Sequence, residues 1–302
     1  MIKTQFFILL VVLILAIDCV KYSTTFDQGS DNSPYEKEIW EKDFTIDWAS
    51  GATERSIQTS EYFKDGYTSI RIEYPQGGVG PSEGGSQVSI ALQEEDQYYM
   101  SYWMMFSEDF SFGSEYEGGK LPGLASSGLC SGCVECSGEN GFTARMMWRT
   151  GGGIVLYLYH MDKSNNCGDN YELKYNSTGE VVTFTRNKWY HIMERVKINS
   201  GSNNDGEVEV WINNEHVLLV ENLKFVTNGA KVDKLYFSTF HGGSTEEWAP
   251  QNTCYIFFDK LTISTEKSDC EADLSTEDTT NPAVGLKVSM ILLILLFLKL
   301  LF

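Results

Sequence analysis

Residues 142–160 read FTARMMWRTGGGIVLYLYH, and the fold prediction depends on this stretch. Before the three glycines, apolar side chains alternate with polar or cationic ones. Successive side chains of a β-strand point to opposite faces of its sheet, so this alternation predicts a strand with one core face and one polar face. The core face would carry Phe142, Ala144, Met146 and Trp148, and the polar face Thr143, Arg145, Met147 and Arg149.

The segment after the glycines predicts a second strand, with Val155, Tyr157 and Tyr159 on its polar side and three aliphatic residues on the other. A three-residue loop at Gly151–Gly153 would place Thr150 opposite Ile154. That register pairs Met147 with Tyr157 and Arg145 with Tyr159, and it keeps both apolar faces on the same side.

The rest of the chain indicates an all-β protein. Helical periodicity is almost absent, and short runs rich in Val, Ile, Tyr, Phe and Trp lie between turn-forming clusters; 27 glycines against 6 prolines fit many turns. Residues 68–74 predict a half-buried strand with Ile70, Ile72 and Tyr74 inward. Residues 207–220 predict a hairpin that turns at Asn213 and Asn214. A chain of 302 residues can form one large β-domain, which we place at residues 24–265.

Both ends of the chain are apolar. Residues 1–23 have the form of a secretory signal peptide, which would remove Cys19; a retained membrane anchor is the alternative. Residues 283–302 form an apolar tail after an acidic, polar spacer at 266–282, which is typical of a glycolipid-anchor signal with its attachment residue within 268–281. A single membrane span is the alternative for the tail. Either pattern predicts an extracellular or cell-surface protein.

Six cysteines remain after Cys19, and an even number in an exported chain predicts disulfides: Cys130, Cys133, Cys136, Cys167, Cys254 and Cys270. The sequence does not select their pairing. The spacing of the first three also resembles that of metal ligands, but no fourth ligand stands at a matching spacing, so we predict no metal site. Asn176, in Asn-Ser-Thr, is a glycosylation acceptor sequence.

The formal net charge of −19 excludes nucleic acid as an expected partner. An anionic substrate would then need a locally basic groove, and Lys120, Arg145 and Arg149 could form one. We expect a monomer.

Motifs spread along the chain resemble polysaccharide lyase family 14, and more distantly the glucuronan lyases. They occur in order between about residues 68 and 263: GPSEGGSQ, FSEDFSF, GGKLPGL, FTARMMWR, VLYLY, KWYHIMERVKIN, DGEVEVWIN, FSTFHGG, WAP and YIFFDKLTI. The resemblance implies a jelly roll, a concanavalin-like antiparallel β-sandwich with a substrate cleft on its concave sheet. It also implies cleavage of alginate- or glucuronan-type polysaccharides by β-elimination. We expect no cofactor or metal in the reaction.

The resemblance further implies which residues act. Its catalytic lysine matches Lys120 in KLPGL, its arginine matches Arg145, and its tyrosine pair matches Tyr157 and Tyr159. The family's serine is replaced by Thr143, which with Arg149 and His241 we assign to substrate binding. A structural role is the alternative for His241, and we expect His191 to be structural.

The chemistry is consistent with these residue types. A lyase removes the proton at carbon 5 of a uronate, so the neighbouring carboxylate must be neutralised by a cation such as Arg145 or Lys120. A tyrosine can serve as base or acid. Two alternatives remain: a glycoside hydrolase, which would need paired acids such as Glu207 and Glu209, and a lectin-like protein without turnover.

Overall fold

The computed structural model describes residues 19–113 and 118–275, which form two antiparallel β-sheets packed face to face. The strands are β1 (Lys21–Thr24), β2 (Thr45–Ser50), β3 (Ser56–Thr59), β4 (Ser69–Tyr74), β5 (Ser86–Glu95), β6 (Gln97–Phe106), β7 (Gly118–Lys120), β8 (Gly123–Ala125), β9 (Thr143–Arg149), β10 (Ile154–Tyr159), β11 (Asp169–Glu172), β12 (Trp189–Lys197), β13 (Gly206–Ile212), β14 (Glu215–Leu223), β15 (Val232–His241) and β16 (Cys254–Ser264). The helices are short: α1 (Lys37–Trp40), α2 (Ala52–Arg55), α3 (Gly80–Glu83) and α4 (Lys267–Cys270), with 3-10 turns at Thr150–Gly152 and Glu246–Trp248.

The two sheets differ in their role. The back sheet has the strand order β14-β13-β12-β6-β16-β4-β3, with β1 paired to β16. The site sheet has the order β11-β10-β9-β7-β15-β5-β2, with β8 paired to β9 and β15. The predicted all-β antiparallel sandwich is confirmed.

The core lies between the sheets, where the alternation of residues 142–158 predicted it. Phe142, Ala144, Met146 and Trp148 are fully buried there, as are Ile154, Leu156 and Leu158 of the next strand. The predicted inward residues of β4 are also fully buried, and the predicted hairpin turn at Asn213 and Asn214 has positive φ angles of 49° and 63°. Asn fits this turn because its side chain tolerates the left-handed region.

The predicted register of the β9–β10 hairpin is wrong by two residues. Tyr157 lies opposite Arg145, and Tyr159 lies opposite Thr143. The turn consists of Thr150–Gly152, while Gly153 lies between the turn and β10 and forms an isolated bridge to Thr183. A shift of two preserves side-chain parity, and every residue therefore keeps its predicted face.

The described residues extend beyond both predicted domain boundaries. Residues 21–23, assigned above to the signal peptide, lie in β1 and pair with Thr262–Ser264. Residues 267–270, assigned above to the spacer, form α4, and Cys270 packs against Met193 and Trp211. Within residues 19–113 and 118–275, no helix is long and apolar enough to cross a membrane. Residues 1–18 and 283–302, on which the signal and anchor predictions depend, lie outside the described residues.

Four of the six predicted disulfide cysteines pair, as Cys130–Cys136 and Cys133–Cys167. Cys254 and Cys270 are free and buried, which corrects their assignment. Cys270 lies beside Thr262, eight residues along β16 from Cys254, and an extended strand separates such positions by roughly 26 Å. Asn176 is exposed near His216, and its glycosylation stays a prediction.

Gly123 is required where β8 crosses β9 at close range. A Cβ atom at this position would lie 1.8 Å from the carbonyl oxygen of Ala144. We expect Gly123→Ala to lower the free energy of unfolding by about 1–3 kcal/mol, because β8 must move away from its neighbour. Denaturant unfolding would measure this. Gly153→Ala is the matched control, since its Cβ would meet no atom closer than 3.9 Å; equal losses in the two variants would contradict the steric explanation.

Candidate active site

The predicted catalytic residues lie together on the outer face of the site sheet. Lys120 in β7 pairs with Met147 in β9, and Arg145 in β9 pairs with Tyr157 in β10. Three neighbouring strands therefore bring the lysine, the arginine and the tyrosine pair to one place. The structure groups these residues, while their catalytic roles stay predictions.

The segment that carries Lys120 is held from both sides. Leu121 N–H donates to the carbonyl oxygen of Met146 at 2.8 Å. From inside the sandwich, the buried carboxyl of Glu194 accepts the N–H of Leu124 at 3.0 Å, and the hydroxyl of Tyr102 donates to the carbonyl of Pro122. Burial raises the pKa of Glu194 well above its ordinary value, and its hydrogen bond to Leu124 supports the segment from beneath.

The ammonium of Lys120 lies among aromatic rings. Its Nζ is 5.1 Å from the ring centroid of Tyr157, 5.7 Å from that of Phe240 and 5.8 Å from that of Trp248. Burial, together with the positive charges of Arg145 and Arg149, lowers the pKa of Lys120 to about 7. A lysine in this state can gain or lose a proton near neutral pH, which is the property of a general acid or base.

Arg145 is buried and has spare hydrogen-bonding capacity. Its Nη1 lies 3.4 Å from the hydroxyl of Ser238, and its guanidinium carbon lies 5.1 Å from the ring centroid of Tyr236. Its Nε has no partner among the described residues. Burial lowers the pKa of Arg145, yet arginine stays charged in proteins, so a buried cation remains available to an anion.

The two tyrosines contact each other through their hydroxyls. The oxygens of Tyr157 and Tyr159 are 3.2 Å apart, and each also accepts a backbone N–H, from Gly168 at 3.0 Å and from Cys133 at 2.9 Å respectively. Burial, and the hydrogen bond with Tyr157, raise the pKa of Tyr159 to about 12, while the N–H of Cys133 and the charge of Arg145 oppose this rise.

Two of the three predicted substrate-binding residues, Thr143 and His241, are buried rather than exposed on this face. His241 points into the core against Tyr74, Phe110 and Trp148, and burial lowers its pKa to about 4. Thr143 is fully buried, and its hydroxyl donates to the carbonyl oxygen of Cys130. His241 thus lies on the core side of β15, while the substrate-binding role of Thr143 stays a prediction.

Arg149, by contrast, lies on the predicted face and donates to the side chain of Asn170. His191 is buried against Trp103 on the outer side of the back sheet, in agreement with a structural role.

The sequence analysis missed several residues of this face. Among them are Gln87, Tyr236, Ser238, Phe240 and Trp248. Alternation could have found three of them, because residues 236, 238 and 240 share one face of β15 while Phe237 and His241 share the other.

The three cations of this face lack a carboxylate partner in the described part of the chain. Within residues 19–113 and 118–275, Lys120, Arg145 and Arg149 form no ion pair with a carboxylate, although the chain as a whole has a net charge of −19. Cations held this close favour an anionic ligand. The acids suggested for a hydrolase lie elsewhere: Glu207 and Glu209 both pair with Arg195 on the back sheet.

Several solved structures are similar to this protein. Similar solved structures include the alginate lyase Aly36B (26% identity, TM-score 0.67, covering 81% of this chain and 96% of that chain) and the PL-14 alginate lyase from Aplysia kurodai (25%, 0.63, 80% and 97%). The endo-β-1,4-glucuronan lyase of Trichoderma reesei, at 12% identity and a TM-score of 0.51 over 82% of this chain and 99% of that chain, shares the fold. No curated protein sequence matches the chain.

The family model described as Polysaccharide lyase 14 matches residues 63–261, about two thirds of the 302 residues. The matched range contains every strand that supplies a side chain to the site. The chain therefore belongs to polysaccharide lyase family 14 and is a polysaccharide lyase.

Proposed function

We propose that this lyase cleaves a uronic-acid polysaccharide, of the alginate or glucuronan type, by β-elimination. The observation that carries the proposal is the grouping of three cations, unpaired with any carboxylate in the described part of the chain, beside two hydroxyls that contact each other. A polyuronate supplies the carboxylates that these cations lack.

Arg145 is assigned to the substrate carboxylate. The C5–H bond of a uronate becomes acidic only when the adjacent carboxylate is neutralised, because the electron pair left at carbon 5 delocalises into that group. Arg145 is buried, keeps an unpartnered Nε and presents the forked donor geometry that suits a carboxylate. We expect no need for a metal ion, since the guanidinium supplies the positive charge.

Lys120 is assigned to the proton at carbon 5, and the tyrosine pair to the leaving oxygen. The neutral amine of Lys120 takes the proton, the C5–H electron pair forms the C4–C5 double bond, and the C4–O bond breaks. A pKa of about 7 supports Lys120 as the base, and a pKa of about 12 supports Tyr159 as a neutral hydroxyl that donates to the departing oxygen.

Alginate is the first substrate to test. Two of the similar solved structures, at 25–26% identity, are alginate lyases, whereas the glucuronan lyase at 12% supports only the fold. A panel of polymannuronate, polyguluronate and glucuronan would assign the uronate. Unchanged activity in the presence of a chelator is expected, and a loss restored by a divalent ion would contradict the metal-independent reaction.

We propose that the protein acts outside the cell, attached by a C-terminal lipid anchor. The two disulfides of the described domain support an oxidising compartment. Release of the protein from intact cells by a phospholipase that cuts glycolipid anchors would test the attachment. Retention in the membrane after that treatment would favour a membrane span.

The tyrosine hydroxyls provide a direct test of the reaction. We expect Tyr159→Phe and Tyr157→Phe each to lower kcat by roughly 10²-fold or more, because proton transfer to the leaving oxygen is lost. Ultraviolet absorbance of the unsaturated uronate product measures the rate, and Tyr67→Phe, at an exposed position, is the control. A new reducing end without this absorbance would indicate a hydrolase instead, and binding without product a lectin.

A further inference from the structure

The hydroxyls of Tyr157 and Tyr159 are held by two loops that are far apart in sequence. Cys133 N–H, which donates to Tyr159, lies between β8 and β9, and Gly168 N–H, which donates to Tyr157, lies between β10 and β11. When a backbone N–H donates to a phenol oxygen, it restricts the direction in which the hydroxyl hydrogen of that phenol can point. The same hydrogen bond favours the phenolate. The position of each donor therefore matters to whatever chemistry the phenols perform.

One disulfide joins these two donors. Cys133 is itself bonded to Cys167, the residue directly before Gly168. The second disulfide, Cys130–Cys136, closes the turn around Cys133, whose φ of 64° is in the left-handed region. The covalent link thus fixes the separation of the two N–H groups that face the tyrosine pair.

Buried side chains, including both tyrosines, pack around the two disulfides. Cys130 and Cys136 form a small buried cluster with Met147 and both tyrosines, separate from the main core. A Cβ atom on Gly168 would lie 2.8 Å from the ring of Tyr159 and 2.9 Å from that of Tyr157. The loop backbone therefore rests directly on both rings.

The second loop has its own anchor at Asp169. The carboxylate of Asp169 accepts the backbone N–H groups of Ser164 and Asn165, and it lies 3.3 Å from Nε2 of His160. These bonds shape residues 160–168, but they do not connect this loop to the first one. Among the contacts described above, only the disulfide makes that connection covalently.

We propose that the Cys133–Cys167 disulfide is a positioning device for the tyrosine pair, and that its reduction slows elimination while the sandwich stays folded. Reduction by a dithiol breaks the S–S bond, gives two thiols with the dithiol's two hydrogens, and leaves the dithiol as a cyclic disulfide. The two N–H donors then separate, and the hydroxyls lose their fixed orientation. The inference rests on the proposed role of these tyrosines in the elimination.

The test is the double variant C133S/C167S, which keeps both backbone N–H groups and removes the link. We expect kcat to fall at least tenfold with KM within about twofold, since a displacement near 1 Å at reacting groups can cost about 10²-fold. We also expect the titration of Tyr159, followed by ultraviolet absorbance, to shift to higher pH, because the N–H of Cys133 that lowers the pKa of this phenol is displaced. A folded double variant with wild-type kcat and titration would overturn the proposal.

Dithiothreitol separates positioning from folding. We expect it to lower the rate of the wild type by a larger factor than that of the double variant, in which only the Cys130–Cys136 bond is left to reduce. Circular dichroism during the assay reports whether the sandwich remains intact. A rate that falls only with the folded fraction would refute a positioning role.

Gly168→Ala provides a second test if the double variant does not fold. It retains the disulfide and pushes on both rings, so kcat should fall while thiol titration still finds the bond intact. Full activity in this variant would contradict the inference. Failure of the proposed function is a different result: Tyr159→Phe would then keep the wild-type rate, or the wild type would release no unsaturated product.

Discussion

Lys120→Met is expected to lower kcat/KM by roughly 10³-fold, because methionine fills the space of the side chain without the amine that accepts the proton. In the wild type, kcat/KM should rise with pH through about 7, as the ammonium loses its proton and becomes a base. The rate of release of unsaturated uronate between pH 5 and pH 9, at substrate concentrations well below KM, would measure both effects.

The same variant should be more stable than the wild type at neutral and lower pH. The pKa of Lys120 falls from 10.5 to about 7 on folding, so burial of the ammonium opposes folding at pH values below about 7. Between about 7 and 10.5 the unfolded chain binds the proton and the folded chain does not, so wild-type stability rises with pH in this range. The advantage of Lys120→Met should therefore be largest below pH 7 and vanish near pH 10.5.

Lys37→Met is the matched control for both effects. Lys37 is partly exposed and pairs with Glu41, the residue after α1, so its replacement should change neither the rate nor its pH profile. A Lys120→Met protein that is folded and keeps more than a tenth of the wild-type kcat/KM would show that Lys120 does not carry the proton.

Arg145→Met is expected to lower kcat by about 10²- to 10³-fold, because the substrate carboxylate is then not neutralised as charge develops at carbon 5. The loss should appear on polymers of either alginate uronate, since each repeats the same carboxylate. Steady-state rates on polymannuronate and polyguluronate would measure it.

The variant should also unfold at a higher temperature than the wild type. Arg145 is buried, has an unpartnered Nε and forms no ion pair with a carboxylate in residues 19–113 and 118–275. A buried charge without a partner opposes folding, and an apolar residue of similar volume removes that cost. An increase of a few degrees in the melting temperature corresponds to about 1 kcal/mol in a domain of this size.

Arg195→Met is the control for this variant, and we expect it to destabilise the protein instead. Arg195 contacts Glu207 and Glu209 on the back sheet, and Lys197 also pairs with Glu207. Loss of Arg195 removes the cation that these two carboxylates share, so it should lower the melting temperature while kcat stays unchanged. If Arg145→Met were destabilised as strongly as Arg195→Met, Arg145 would stabilise the fold, and its proposed role in binding the substrate carboxylate would be contradicted.

The sequence alone determined the sandwich and the face on which each site residue lies. Strict alternation in residues 142–149 assigns Arg145 to one side of β9 and Trp148 to the other, and this depends only on the period of two in a strand. The motifs identified Lys120, Arg145, Tyr157 and Tyr159, which the structure brings together. The same parity, applied to residues 236–241, would have placed His241 in the core.

Only the tertiary structure decided the register of the hairpin, the disulfide pairing and the protonation behaviour of the site. The hairpin turns at Thr150–Gly152, and Gly153 bridges instead to Thr183, a residue distant in sequence. The pairing of Cys133 with Cys167 required two loops to meet over the tyrosine rings. Burial and the charges of two arginines on a neighbouring strand set the pKa of Lys120. A local sequence pattern does not show how deeply a side chain is buried.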